Sequence, residues 1–169
     1  MRFYALIPAA GSGSRMGGAI EKQYMDLNSV PMIAHAMMVL AREPRIAKIF
    51  VVLSPTDKRW DSYAWQGWEE RIEVLHCGGA TRAETVLNGL DAISRVCAAD
   101  DWMLVHDAAR PCLPDEMLAK LLDEAAADPV GGLLAVPVAD TLKRAAAESA
   151  SGARAEATVP RAEIGRAHV

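Results

Sequence analysis

Small residues and two cations follow a short apolar run near the beginning of the sequence. Residues 3–7 are apolar, the loop that follows contains Gly11, Gly13 and Arg15, and Lys22 comes shortly after it. Because glycine has no Cβ, backbone N–H groups in such a loop can approach an anion closely, and the cations could balance the charge of a polyphosphate. This segment predicts a nucleotide-triphosphate loop, although a plain strand-to-helix turn would have a similar composition.

The spacing of the glycines excludes two well-known loops. Gly13 and Gly18 have the spacing of a P-loop, but Ala and Ile follow where Lys and Ser/Thr are required. Gly11 and Gly13 begin a dinucleotide fingerprint, but Met16 occupies the position of its third glycine.

The overall composition is that of an ordinary globular chain. Its 169 residues are enough for one domain with a sizeable core, and 51% of them are hydrophobic while 24% are charged. The net charge of −4 argues against a nucleic-acid-binding protein, whose surface would be basic. An anionic ligand must therefore be held by local cations.

The cysteines and the beginning of the chain predict a cytoplasmic protein. The chain has an odd number of cysteines, and no two of them form a C-x-x-C pair; they are Cys77, Cys97 and Cys112. Neither a zinc site nor a disulfide framework is therefore indicated. The first residues resemble a strand rather than a targeting segment, and no apolar window is long enough to span a membrane.

Apolar runs and helical patterns alternate along the chain. Five strands are predicted, at residues 3–7, 49–53, 72–76, 102–106 and 132–136. Helices are predicted at residues 31–41, 81–97 and 114–125, with a short one beginning near residue 60. Thr81 and Glu84 match a capping box at the start of the second helix. Its predicted apolar face consists of Val86, Leu87, Leu90, Ile93 and Cys97.

This alternation predicts an α/β fold with a mostly parallel sheet. Ligands of such sheets bind outside the carboxyl ends of the strands. The distinctive segments all follow predicted strands, namely the Gly/Arg loop, Gly78-Gly79 and residues 107–110. Their common placement favours a nucleotide site. From Ala139 onward the sequence is polar and extended, which is typical of either a projecting hairpin or a disordered tail.

Five segments resemble one known family, in the family's own order. They are Ala9-Ala10-Gly11-x-Gly13-x-Arg15-Met16-Gly17, Lys22-Gln23-Tyr24, Gly78-Gly79-x-x-Arg82-x-x-Thr85-Val86-x-x-Gly89-Leu90, Val105-His106-Asp107-Ala108-Ala109-Arg110-Pro111 and Pro137-Val138-x-Asp140-Thr141-Leu142-Lys143. The family is 2-C-methyl-D-erythritol 4-phosphate cytidylyltransferase, and the resemblance extends over residues 3–161. It implies a Rossmann-like nucleotidyltransferase fold with a projecting β-arm. The expected parts are a nucleotide-binding domain at 1–138, the arm at 139–161 and a divergent tail at 162–169.

The resemblance implies the transfer of a cytidylyl group from CTP to methylerythritol phosphate, with release of pyrophosphate, in isoprenoid biosynthesis. Mg²⁺ is expected to bind through the CTP phosphates, without a metal site built from protein side chains. Because the attacking phosphate oxygen is already ionised, catalysis must come from positioning and charge neutralisation. Arg15 and Lys22 match the family's catalytic pair, although either could be a surface charge.

The resemblance also assigns residues to CTP and to the second substrate. The CTP positions are Ala9, Ala10, Gly11, Gly13, Gly79, Thr85, Asp107 and Ala108. Thr85 could instead lie on the helix surface, Asp107 could cap a turn, and His106 is expected to be structural. The methylerythritol phosphate positions are Arg110, Thr141 and Arg161, of which the last two would act across a homodimer through the arm.

Several positions depart from the family pattern. Glu21 replaces the usual proline beside Lys22, Ala80 replaces an acidic residue that some members have near the cytosine, and the sequence diverges after Arg161. Family members continue further, so a chain truncated at its C-terminus is expected, with its activity in question. Two alternatives therefore stay open: a nucleotidyltransferase for another phosphorylated acceptor, and an inactive nucleotide-binding fragment.

Overall fold

The computed structural model describes residues 1–11, 20–65, 67–68, 70–136, 139–146, 154–160 and 167–168. It contains two compact units, Met1–Ala119 and Lys120–Val169, which are described in turn. Three predicted site residues, Gly13, Arg15 and Arg161, lie outside the described residues. The predicted boundaries at 138 and 161 stay predictions.

A parallel sheet with helices forms the first unit. Its elements are β1 (Phe3–Pro8), β2 (Asp26–Leu27), β3 (Val30–Pro31), α1 (Met32–Arg42), β4 (Ile46–Val52), β5 (Ile72–Leu75), α2 (Arg82–Ile93) and β6 (Trp102–Val105). The strand order is β5-β4-β1-β6, and every pair in this sheet is parallel. The strands predicted near residues 3, 49, 72 and 102 are therefore confirmed, and β4 begins three residues before its predicted start.

Both faces of the two central strands are buried, which is why their sequences are continuously apolar. On one face, Tyr4, Leu6, Phe50 and Val52 form a cluster with Ile93 of α2. Alternate residues of β1 and β4 point to the other face and are also buried, and α1 contacts β4 there.

The buried face of α2 agrees only in part with the predicted one, because Ile93 lies in the core cluster and Val86 and Cys97 pack against it as expected, whereas other positions differ. The helix starts with the predicted capping box, but Leu87 is 57% exposed and Leu90 is 37% exposed, while Thr85 and Gly89 are buried. A Cβ on Gly89 would lie 2.7 Å from a methyl group of Val52, so the absence of a side chain lets the helix approach the sheet. Thr85 and Gly89 thus belong to the packed face together with Ile93, and a search for large apolar side chains overlooks the first two.

Smaller differences concern the segment before α1. This helix begins at Met32, and Pro31 precedes it in an extended conformation instead of lying within the first turn. Strands β2 and β3 form a hairpin whose two loop residues, Asn28 and Ser29, have positive φ angles of 53° and 62°. Two such residues match the right-handed twist of a tight hairpin.

The second unit contains an exposed hairpin. Helix α3 (Asp115–Ala125) spans the boundary between the units, and β7 (Ala135–Val136), β8 (Lys143–Ala145), β9 (Ala155–Thr158) and β10 (Ala167–His168) follow it. Antiparallel β8 and β9 show that the segment after 139 includes a hairpin rather than a wholly disordered tail. The fifth predicted strand is shorter than expected, and within the described chain it pairs with β10 rather than joining the parallel sheet.

Candidate active site

The carboxyl ends of the parallel strands lead directly into the segments that the sequence singled out. Ala9 N–H donates to the carbonyl of Val52 over 2.8 Å, and Gly78 N–H donates to the carbonyl of Leu53 over the same distance. On the other side of β1, the N–H of His106 continues the ladder with a 3.0 Å bond to Leu6. Three loops distant in sequence are thereby fixed along one edge of the sheet, where α/β proteins bind ligands.

Gly78 lies against the loop that follows β1. A Cβ on Gly78 would overlap the Cβ of Ala10 and would lie 2.8 Å from the carbonyl oxygen of Leu53. Only glycine fits this space without a shift of the backbone. The structure thus brings the predicted cytosine-binding residues Ala10 and Gly79 to neighbouring segments.

The side chain of Thr85 connects Gly79 to the first turn of α2 by hydrogen bonds. Its Oγ1 accepts a hydrogen bond from Gly79 N–H over 3.1 Å and donates one to the carbonyl of Thr81 over 2.9 Å. The residue is only 3% exposed, so the alternative of a helix-surface threonine is wrong. Its hydroxyl is engaged with protein backbone, which indicates that it sets the position of the Gly78-Gly79 backbone.

Asp107 lies between two arginines. One carboxylate oxygen, Oδ1, accepts from Arg82 Nε over 2.8 Å, and Oδ2 pairs with Arg110 Nε at 3.0 Å. The carboxylate therefore does not simply cap the following turn. Ala108, which follows it, is 5% exposed, so the loop packs against the protein at this residue. The side chains of Asp107, Arg82 and Arg110 are partly exposed to solvent.

The side chain of His106, at the start of the same loop, contacts the backbone of Arg110 at its end. Its Nε2 lies 2.9 Å from the carbonyl oxygen of Arg110, which requires a proton on that nitrogen. Burial lowers the pKa of His106 below its ordinary value, and this outweighs the opposing effect of the hydrogen bond. A neutral histidine that closes a loop is consistent with the structural role expected for it.

Lys22 belongs to a short 3₁₀ turn, Lys22–Tyr24, that is anchored on both sides. The buried amide of Gln23 donates to the carbonyl of Ala9 over 2.8 Å, which ties the turn to the end of β1. Tyr24 is 1% exposed, and its hydroxyl donates to Asp57 over 2.9 Å. Lys22 directly precedes these two buried residues and is itself exposed, so the turn sets its position while its charge stays accessible.

Sequence reasoning did not single out Gln23, Arg82 or Arg59 as parts of the site. Gln23 and Arg82 occur within the quoted motifs, where Gln23 follows Lys22 directly and Arg82 lies three residues from both Gly79 and Thr85, and this placement was the available signal. Nothing local indicates Arg59, whose partner Glu21 is 38 residues away in sequence. Of the remaining predicted residues, Gly11 and Thr141 are exposed, and Thr141 belongs to the second unit.

A model of the IspD family, 2-C-methyl-D-erythritol 4-phosphate cytidylyltransferase, matches residues 3–167. The chain belongs to this family. The cytidylyltransferase of Thiobacillus denitrificans is 83% identical over 167 residues, which cover 99% of this chain and 72% of that relative. The enzyme of Nitrosospira multiformis is 58% identical over 94% of this chain and 68% of its own length.

Solved cytidylyltransferase structures have the same fold. A crystal structure of 4-diphosphocytidyl-2C-methyl-D-erythritol synthase superposes with a TM-score of 0.82 at 41% identity, over 99% of this chain and 72% of the solved one. The predicted nucleotidyltransferase fold is therefore confirmed. The loops after β1, β5 and β6 contain three of the five segments on which the resemblance to the IspD family rests.

The described part of the chain contains no cluster of three or more His, Cys, Asp or Glu side chains arranged to hold a metal ion. It also contains no helix with the length and apolarity that a bilayer crossing requires.

Proposed function

We propose that the chain catalyses cytidylyl transfer from CTP to 2-C-methyl-D-erythritol 4-phosphate, giving 4-diphosphocytidyl-2-C-methylerythritol and pyrophosphate. The observation that supports this is the joining of the segments around Ala10, Gly79 and Asp107 at one edge of the sheet in a chain of the IspD family. The loops offer closely packed backbone at Gly78 and partly exposed charged side chains at Asp107 and its two arginines. A nucleotide site needs both kinds of group within reach of the ligand.

The reaction requires one bond to form and one to break at the α-phosphorus of CTP. A phosphate oxygen of the acceptor forms the new P–O bond, the bond to the bridging oxygen of the β-phosphate breaks, and pyrophosphate leaves with that electron pair. No proton need be removed from the ionised phosphate nucleophile, so no general base is assigned. Cations that neutralise the developing charge are the main requirement, and Arg15 and Lys22 are proposed for this role.

The base and ribose are proposed to lie along the strand-end loops. Ala9 and Ala10, followed by Gly11 and Gly13, form one side, and Gly79 forms the other. Because Gly78 packs against Ala10, two short backbone segments lie close enough to hold a flat ring through main-chain groups. The hydroxyl of Thr85 acts indirectly, by fixing the backbone of Gly79.

CTP is proposed to bind as its Mg²⁺ complex, with Asp107 and Ala108 at the ribose and triphosphate. Mg²⁺ is proposed to bind through the phosphate oxygens of CTP, completed by waters, and Asp107, whose two oxygens pair with Arg82 and Arg110, is not assigned as its ligand. The ion would lower the repulsion between the incoming phosphate and the triphosphate. The side chain of Asp107 is 29% exposed, and its pairing with Arg82 and Arg110 orients it.

Arg110, Thr141 and Arg161 are proposed to bind methylerythritol phosphate, the last two across a homodimer. Every residue of β8 and β9 is exposed, and a two-stranded hairpin is only marginally stable alone in water. A second protomer that covers the hairpin would supply the missing contacts. We also propose a cytoplasmic location, because the three cysteines are free thiols of the kind that a reducing compartment maintains.

The test is pyrophosphate release by the folded protein supplied with CTP, Mg²⁺ and methylerythritol phosphate. Release above a blank without enzyme supports the proposal, and its absence would support the inactive-fragment alternative. Replacing CTP by UTP or GTP, and the acceptor by other phosphorylated alcohols, would distinguish the cytidylyltransferase from a nucleotidyltransferase with a different acceptor.

A further inference from the structure

Glu21 introduces a negative charge next in sequence to Lys22. A carboxylate that paired with Lys22 would offset the positive charge that the proposed function requires at the α-phosphate. The structure directs this carboxylate elsewhere: its Oε2 lies 2.9 Å from Nε of Arg59. Among the described residues, Lys22 has no ion-pair partner.

We propose that Arg59 is a positioning residue that holds Glu21 away from Lys22 and so leaves Lys22 free to bind phosphate. This inference rests on the proposed function of Lys22. It assigns to Arg59 a task for the reaction that does not require contact with either substrate.

The geometry of the Glu21–Arg59 pair is fixed by Asp57. Asp57 Oδ2 accepts the hydroxyl of Tyr24, at the end of the turn that carries Lys22. Asp57 Oδ1 accepts the backbone N–H of Arg59 over 2.9 Å and that of Trp60 over 3.0 Å. One carboxylate therefore connects the turn that follows Glu21 with the segment that carries Arg59.

Aromatic packing makes this connection rigid. The rings of Tyr24 and Tyr63 stack with their centroids 5.6 Å apart, and Tyr63 donates its hydroxyl hydrogen to the carbonyl of Tyr24. Burial, reinforced by the hydrogen bond to Asp57, raises the pKa of Tyr24 far above its ordinary value, so the phenol stays a donor at working pH. Arg59 and Glu21 are thus held on a preformed frame before any ligand binds.

Arg59→Met tests the proposal, because it removes the charge and keeps much of the aliphatic stem. We expect about a fivefold lower kcat and about a twofold weaker binding of inorganic triphosphate by calorimetry, since a partly exposed ion pair between Glu21 and Lys22 would be weak. Both losses should shrink at about 0.5 M salt, which screens exposed charges. Thermal unfolding monitors the fold of each variant.

The double variant Glu21→Gln/Arg59→Met should recover both measurements, and Arg59→Lys should retain them. Lys58→Ala is the matched control, because it removes an adjacent exposed cation that does not pair with Glu21. A double variant as impaired as Arg59→Met, or an Arg59→Met protein equal to wild type, would overturn the inference. If wild type releases no pyrophosphate, the proposed function fails, and the inference is then decided by whether the double variant recovers the triphosphate binding that Arg59→Met loses.

Discussion

The strand-end site of the first unit and the β8–β9 hairpin of the second are held in place by different means. The site's loops continue buried strands, and close contacts at Gly78 and Thr85 set their positions. The hairpin has its own ladder of hydrogen bonds, and every residue of its strands is exposed. A loop on a core is positioned by many neighbours, whereas an isolated two-stranded hairpin is only marginally stable in water.

The largest effect is expected from Lys22→Ala on the site side of this comparison. Turnover should fall by about 10²–10³-fold, because a preorganised charge at the transition state is lost. CTP affinity should change far less, which pyrophosphate release and calorimetric titration can separate. Equal losses in rate and in affinity would contradict the role assigned to Lys22.

Gly78→Ala tests whether close packing fixes the strand-end loops. The added methyl group would meet Ala10 and the carbonyl of Leu53, so the free energy of unfolding should fall by about 1–3 kcal/mol in urea denaturation. Gly11→Ala is the control for stability, because a Cβ there meets no atom of the described residues within 4 Å. Equal stability of the two variants would show that the loops are less constrained than the contacts indicate.

Thr141→Ala tests the hairpin side of the comparison. Loss of a hydrogen bond to a charged phosphate should raise KM for methylerythritol phosphate about tenfold, with KM for CTP and the melting temperature unchanged. Steady-state kinetics with each substrate varied in turn provides the measurement. An unchanged KM for the acceptor would remove the hairpin from the proposed site.

His106→Gln should change how the stability of the first unit depends on pH, without any contribution from the hairpin. Because burial lowers the pKa of folded His106 below 6.5, the unfolded chain binds this proton more readily. The free energy of unfolding of wild type should therefore fall as the pH drops below 6.5 toward the folded pKa. Between about pH 7.5 and about pH 5.5, we expect the variant to lose less stability than wild type, by at most about 1 kcal/mol. Residues 139–160 contain no histidine, so the hairpin cannot contribute to this difference.

The smallest effect is expected from Lys143→Ala in the hairpin. Lys143 Nζ donates to the hydroxyl of Thr158 across the two strands, but both residues are exposed. The free energy of unfolding should change by less than about 0.5 kcal/mol in chemical denaturation. A larger loss that depends on protein concentration would indicate that the hairpin is buried in an oligomer.

The secondary structure was predicted correctly where a short stretch of sequence is enough to specify it. The continuous apolar runs predicted the four parallel strands, because strands buried on both faces contain few polar residues. Thr81 and Glu84 predicted the start of α2, since a capping box needs only residues three positions apart. The predicted buried face of α2 was wrong at Leu87 and Leu90, which are exposed, and it overlooked Gly89, which contributes to packing by having no side chain.

The sequence by itself determined the α/β class, the order of the strand-end motifs and the family to which the chain belongs, because each depends on residue types at short spacing. Only the tertiary structure decided how the site is held together. Gln23 reaches Ala9 across 14 residues, Arg82 reaches Asp107 across 25, and Arg59 reaches Glu21 across 38. Such contacts arise from the path of the folded chain, so the partner that Glu21 takes beside Lys22 becomes visible only once that path is known.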